Sequence, residues 1–197
     1  MKKRLRQPAW YHFVLIGVGA MLLSFAIVGI ILPPRYIVQR EVEVMAPPEL
    51  VFAQLSDTAN HPAFMPWKAQ DPTVTFTPGA VTKGLGATYD WQGEQTQRMR
   101  YLVTAEEPPK AIGFEMVTEG PGDLGGVWNI RQFGKMTKVT WSLHGDVGWN
   151  IPARFAQLGV DGALGPLLST GLTQLRARCE QAARAGAKEQ AQWQAVA

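Results

Sequence analysis

The sequence predicts an α+β protein: a curved antiparallel sheet packed on one long C-terminal helix, behind a single transmembrane helix. Three observations predict it. Residues 10–32 form an uninterrupted run of 23 residues without a formal charge. Between residues 38 and 143, apolar and polar side chains alternate in short segments separated by Gly- and Pro-containing turns. From Phe155 onward the apolar spacing changes to steps of three and four.

The apolar run reads WYHFVLIGVGAMLLSFAIVGIIL. At ~1.5 Å per residue it spans ~34 Å, enough for a hydrocarbon core of ~30 Å. Trp10 and Tyr11 at one end and Tyr36 just beyond the other suit the headgroup zone, as does His12. Pro33 and Pro34 stop the helix, because proline donates no N–H and clashes with the preceding turn. A cleaved signal peptide would have a shorter apolar stretch and a small-residue cleavage site, whereas this run ends in Leu-Pro-Pro-Arg. A buried core helix is rarely apolar on every side. Lys2, Lys3, Arg4 and Arg6 precede the run, and only Arg35 and Arg40 closely follow it. Basic flanks stay cytoplasmic, so the N-terminus is expected inside and the domain outside, in the periplasm of a Gram-negative cell with its anchor in the inner membrane. Ala20 and Ser24, four apart, offer two such helices a close approach and hence a weak homodimer contact. The expected division is a basic leader (1–9), a transmembrane helix (10–32), a linker (33–37), a folded domain (38–185) and a frayed tail (186–197).

In 38–44, Val38, Val42 and Val44 share a face with Arg40 among them, and Gln39, Glu41 and Glu43 take the other, which reads as a half-buried strand. Pro47 or Pro48 can open a helix, and 49–55 then place Leu50, Val51 and Leu55 inward. The two prolines of NHPAFMPW (60–67) argue against a regular element there and for a structured aromatic loop. Leu85, Ala87, Tyr89 and Trp91 share the next face, followed by Met99, Tyr101, Val103 and Ala105, and then by Ile112, Phe114 and Met116. A strand near 125–133 and one carrying Val139, Trp141 and Leu143 complete the set. Short turns at 93–94, 107–110, 120–123 and 134–135 make the neighbours antiparallel, as in a meander. Phe155, Leu158, Gly162, Gly165, Leu168, Leu172, Leu175, Cys179 and Ala182 form one helical stripe, with a kink or restart expected at Gly165-Pro166. The stripe ends near Ala185.

Composition narrows the function. The net charge is +3, but the four leader cations account for it: beyond them 15 Lys and Arg face 16 Asp and Glu. No basic stripe marks a nucleic-acid binder. The single cysteine, Cys179, excludes an intrachain disulfide and an all-cysteine zinc site, and its place in the apolar stripe makes it a buried, inert thiol. Three scattered histidines make no metal site, and no cofactor motif is present; the glycines around Leu85 lack the strand-then-helix setting of a nucleotide loop. On the inner face assigned by alternation over 85–143, the phenols of Tyr89 and Tyr101 are the only ionisable groups. Asp90, Arg98, Arg100, Glu115 and Lys138 fall on the opposite phase, as does His144. His61 is expected on the loop surface, although with Asp57 it could mimic a base and its orienter.

Several stretches resemble one family. VMAPPELVF (44–52) is similar to an opening strand ending in "A-P-hydrophobic/polar-x-V-F". NHPAFMPW (60–67) is similar to "N-W-P-x-W-x-P-W", departing at His61 and Phe64 where tryptophans are usual. GLGATYDW (84–91) is similar to "G-x-G-a-x-Y-x-W", EEPPK (106–110) to "E-x-P-P", TWSLHG (140–145) to "T-x-V-T-W-x-x-x-G", and GLTQL (171–175) to "G-L-x-x-L". Together they resemble the START-like (SRPBCC, helix-grip) superfamily in its polyketide cyclase/dehydrase-like branch. The resemblance covers roughly 38–183. It implies a helix-grip fold with a hydrophobic-ligand cavity and no particular reaction, because this fold hosts transport, sensing and catalysis.

Cavity-lining candidates are therefore Trp67, Tyr89, Trp91, Met99, Tyr101, Phe114, Met116 and Trp141, joined by Asn129 and Arg131 if that strand's phase turns them inward. The first reading is a membrane-anchored domain that binds a hydrophobic small molecule or lipid, with no catalytic residues assigned. The second is a cyclase, dehydratase or hydrolase using Tyr89, Tyr101, Arg131 or His61. The third is a closed scaffold acting through a partner.

Overall fold

The computed structural model describes residues 10–118 and 124–196. The basic leader and the 120–123 turn lie outside the described residues.

Helix α1 (Trp10–Ile31) is followed directly by β1 (Arg35–Val44), so the expected linker is only three residues long and Arg35 already pairs. Helix α2 (Pro48–Ser56) starts with Pro48 in its first turn, where a missing N–H costs nothing, and buries Val51 and Leu55. A 3₁₀ turn (Thr58–Ala63) and α3 (Trp67–Gln70) occupy the stretch expected to be an irregular loop. Asp57 makes the turn feasible by accepting the Ala59 N–H at 3.1 Å. The strands are β2 (Thr75–Pro78), β3 (Thr88–Gln92), β4 (Met99–Glu107), β5 (Ala111–Thr118), β6 (Leu124–Phe133) and β7 (Met136–Asp146). They form one antiparallel sheet in the order β1-β7-β6-β5-β4-β3-β2. The edge strand β2 has no counterpart in the sequence reading, since TFTP is short and buries no residue fully.

Helix α4 (Ile151–Ala156), a 3₁₀ turn (Gln157–Gly159) and α5 (Val160–Val196) close the chain. The helix-grip arrangement follows, with α5 across β1 and β7. Two expectations about α5 are corrected. The break falls at 157–159, while Pro166 sits inside a continuous helix near its start. The reason is a division of faces: Phe155 packs on α1, whereas Leu168, Leu172, Leu175 and Cys179 pack on the sheet. One straight rod cannot serve both. The helix also runs on to Val196, past the end of its apolar stripe near Ala185.

Gly171 allows α5 to come down onto the core. A Cβ there would lie 2.9 Å from a Trp141 ring carbon and 3.1 Å from the Phe64 carbonyl oxygen. Arg40, on the inner side of β1, reaches Asp161 at the start of α5 through two parallel bonds of 2.9 Å. On the outer face, Asp90 sits opposite Arg100 in the register and also accepts Arg98 at 2.8 Å; these groups hold its carboxyl down at about 2. Cys179 is fully buried, and burial pushes its thiol up to about 12. Native protein is therefore expected to resist alkylation by a maleimide at neutral pH and to react only after unfolding. Equal reactivity in both states, read by mass spectrometry, would contradict the burial.

Candidate functional site

The space between the sheet and α5 is filled by aromatic side chains. Tyr89 and Trp91 from β3, Tyr101 from β4, Phe114 and Met116 from β5, Trp128 from β6 and Trp141 from β7 all point into it and are fully buried. They form a continuous stack: Tyr89–Tyr101 at 5.0 Å between ring centroids, Tyr101–Phe114 at 4.7 Å, and Trp128–Trp141 at 4.3 Å. The loop after α2 supplies the lid of this stack. Phe64, Met65 and Trp67 are buried, and Trp67 lies parallel to Trp91 at 5.5 Å. From the side, Arg178 of α5 pins the lid by donating to Gln54 and Asn60 at 2.9 Å each.

His61 is the central surprise. The loop surface is its expected place, yet it is fully buried, between Phe64, Tyr89 and Tyr101, with ring centroids 4.9–5.3 Å away. The 3₁₀ turn rolls the imidazole inward, a rotation that composition does not reveal. Its Nε2 lies 2.8 Å from the Leu55 carbonyl oxygen. That oxygen can only accept, so Nε2 carries the proton and Nδ1 is left as an acceptor. Burial lowers the His61 pKa to about 4, more than the Leu55 bond and the Asp57 charge raise it, so the ring is neutral near pH 7. Asp57 itself turns to Lys83 at 3.2 Å. Burial also raises the pKa of Tyr89 and Tyr101 well above the ordinary phenol value.

Four buried polar atoms around this stack have no hydrogen-bond partner: His61 Nδ1, Trp67 Nε1, Tyr89 Oη and Trp141 Nε1. Trp67 Nε1 lies near enough to the Tyr89 hydroxyl to act on it electrostatically, but not in hydrogen-bond geometry. Each such atom costs about 1–3 kcal/mol when left dry. Their shared location is therefore a chemical feature: two N–H donors, one acceptor and one hydroxyl inside an aromatic box. By contrast, Trp128 donates to the Tyr101 hydroxyl at 3.3 Å.

A family model for "Polyketide cyclase / dehydrase and lipid transport" matches residues 35–180, most of the chain, with the whole sheet and the first part of α5. The chain belongs to this family. No curated protein matches it. Among solved structures, protein CV1439 from Chromobacterium violaceum is similar at 14% identity and a TM-score of 0.54, over 73% of this chain and 96% of that one. Norcoclaurine synthase from Thalictrum is similar at 12% identity and a TM-score of 0.54, over 72% and 94%. The di-domain ARO/CYC protein BexL of the BE-7585A biosynthetic pathway is similar at 17% identity and a TM-score of 0.53, over 72% of this chain and 45% of that one. At these identities the likeness concerns the fold.

For this polyketide cyclase/dehydrase family domain, the positions of the candidate residues divide cleanly. Trp67, Tyr89, Trp91, Tyr101, Phe114, Met116 and Trp141 come together in the interior, and Met99 is half-buried at its end. Asn129 and Arg131 do not join them. Both are exposed and line a surface depression of about 460 Å³ with Pro48 and Lys110, because Trp128 and Ile130 take the inward phase of β6. Leu85 is 67% exposed, since residues 84–87 form a turn and β3 begins only at Thr88. Ala105 is exposed because a bulge between Val103 and Ala105 reverses the alternation in β4. His144 is exposed, as its phase indicates.

His61, Phe64 and Trp128 are buried interior groups that the sequence does not lead one to expect. For Trp128 a signal existed: Trp128 and Ile130 alternate with Asn129 and Arg131, and the larger apolar pair belongs inside. Five depressions of about 220–580 Å³ lie on the surface, and none of these five enters the space between sheet and α5. Among the described residues, no group of three His, Cys, Asp or Glu side chains could hold a metal ion.

Proposed function

We propose that this is a membrane-anchored domain that binds a hydrophobic small molecule or lipid bearing a hydroxyl or carbonyl oxygen, without converting it. The observation that carries this reading is the set of unpartnered polar atoms inside the aromatic stack. A ligand oxygen would accept from Trp67 or Trp141, and a ligand hydroxyl would donate to His61 Nδ1. Entry requires the Thr58–Trp67 lid to lift, because buried rings fill the space beneath it. The domain is held to the inner membrane by α1, with the N-terminus cytoplasmic and the domain on the outer side. That helix is long and apolar enough to cross a bilayer.

Catalysis is disfavoured by protonation states. A general acid or base works best with a pKa near the operating pH. His61 sits near 4 and both phenols are raised, so none of the three exchanges protons readily near pH 7. The packing of His61 on two tyrosines is the one feature that favours the cyclase or dehydratase reading.

The test is ligand uptake by the full chain in detergent. Native mass spectrometry should find a co-purified apolar ligand, or a panel of fatty acids, phospholipids and polycyclic phenols should produce saturable changes in tryptophan emission. Trp67→Phe should weaken that response severalfold. No bound ligand and no saturable response across the panel would overturn the proposal and favour a closed scaffold.

A further inference from the structure

The last turns of α1 do not hang free of the domain. Arg154 of α4 is buried, and its Nη1 donates to the carbonyl oxygens of Gly29, Ile30 and Leu32 at 3.2, 2.9 and 3.1 Å. Its Nε donates to Gly148 O at 2.8 Å, and Gln157 Nε2 donates to Pro33 O. These carbonyls belong to the end of α1, where Pro33 and Pro34 forbid further helix and the acceptors lack intrahelical partners. In hydrocarbon each unpaired acceptor would cost several kcal/mol. A guanidinium placed there satisfies them and also meets the negative end of the helix dipole.

Apolar contacts reach deeper along the span. Phe155 stacks on Phe25 at 4.1 Å with the rings 10° from parallel. Ile151 covers Gly29, the one buried residue of α1, and occupies the place where a Cβ would stand. Phe25 lies six residues before Ile31, so Phe155 sits ~9 Å inside the end of α1. Trp149 is 80% exposed with its ring over the Arg154 guanidinium at 5.1 Å, and Leu158 is 67% exposed. Both large apolar groups flank α4, whose Phe155 and Ile151 touch Phe25 and Gly29 of α1.

We infer that residues 149–158 form an interfacial wedge. Trp149 and Leu158 insert at the headgroup–acyl boundary of the bilayer that α1 crosses, and Arg154 locks the wedge to the end of α1. The partner is the lipid interface itself, and the consequence is a domain held in one orientation on the membrane. An indole beside a guanidinium suits that boundary, where one side is apolar and the other wet. This inference rests on the reading of α1 as a membrane anchor.

The experiment uses the full chain in phosphatidylcholine/phosphatidylglycerol vesicles. Leu22→Cys, Leu158→Cys and Ala177→Cys are each labelled with an environment-sensitive maleimide fluorophore, and Cys179 stays silent because it is buried. Lipids spin-labelled on the upper acyl chain and near its end are the quenchers. Shallow quenching at position 158 should be severalfold stronger than at position 177, and position 22 should respond to the deep label. Quenching at 158 no greater than at 177, with 22 still quenched, overturns the wedge and leaves the anchor standing. Absence of quenching at 22 removes the anchor and the wedge with it. Arg154→Gln should reduce quenching at 158 severalfold without changing 22; an unchanged signal at 158 would overturn the role of Arg154 as the lock.

Discussion

Replacing Trp141 with alanine is expected to destabilise the domain by about 3–5 kcal/mol, the range for removing a large buried aromatic. Trp141 is fully buried and holds three layers together. It stacks on Trp128 from the neighbouring strand, meets Trp67 of the lid edge-on at 6.4 Å, and lies under Gly171 of α5. No nearby group is both large and free enough to refill its volume, so the cavity term adds to the lost transfer energy. The measurement is thermal unfolding of the detergent-solubilised chain, followed by circular dichroism. A fall in Tm on the order of 10 °C should accompany the change. The exciton signal of the stacked Trp128–Trp141 pair should vanish with it. Trp141→Phe should retain much of the stability while losing the exciton signal. A Tm for Trp141→Ala within 1–2 °C of the parent, roughly what 0.5 kcal/mol would produce, is incompatible with a core centred on this ring.

Acidification is expected to produce the second large effect. His61 is buried and neutral, with its pKa lowered from 6.5 to about 4 by burial. In the unfolded chain the imidazole takes up a proton near its ordinary value, so between those two limits the unfolded state binds more protons than the folded one. Stability is therefore undiminished above about pH 6.5, falls as the pH drops from 6.5 toward 4, and levels off in this respect below 4. The loss approaches about 3 kcal/mol, since each tenfold difference in proton affinity between the folded and unfolded chain corresponds to ~1.4 kcal/mol. The carboxyl of Asp90, held down at about 2, adds its own loss only below its ordinary value of 3.8, so the two windows separate. Midpoints measured across this range should fall for the parent chain, and His61→Gln should be flatter between pH 6.5 and 4. A parent profile that stays level over that interval would mean the imidazole reaches water in the folded state.

Much of the architecture was legible because it depends on period. Val38, Val42 and Val44, the Tyr89–Trp91 and Tyr101–Val103 pairs, and the Val139–Trp141–Leu143 set alternate at a spacing of two, and each set lies on the inner face of the sheet. Leu168, Leu172, Leu175 and Cys179 recur at helical spacing and form the buried side of α5. Alternation misleads where the period breaks. The bulge after Val103 turns Ala105 outward, and the turn before β3 exposes Leu85. Residues 60–67 defeat any periodic argument, and that loop contains His61, the one buried imidazole beside the aromatic stack.

By itself, the sequence determined the alternation of inner and outer faces, the apolar rod at the C-terminus, the long uncharged run at the N-terminus and the family that their motifs resemble. These are consequences of local geometry, since a side chain's face is set by its position in a strand or helix. Only the tertiary structure decided that the space beneath the helix is closed by rings, that His61 Nδ1 and three other polar atoms share it without partners, and that Arg154 grips the end of α1. Those features depend on residues far apart in the chain meeting at van der Waals distance, and on which polar atoms find no partner when they do. No spacing rule along one chain segment carries that information.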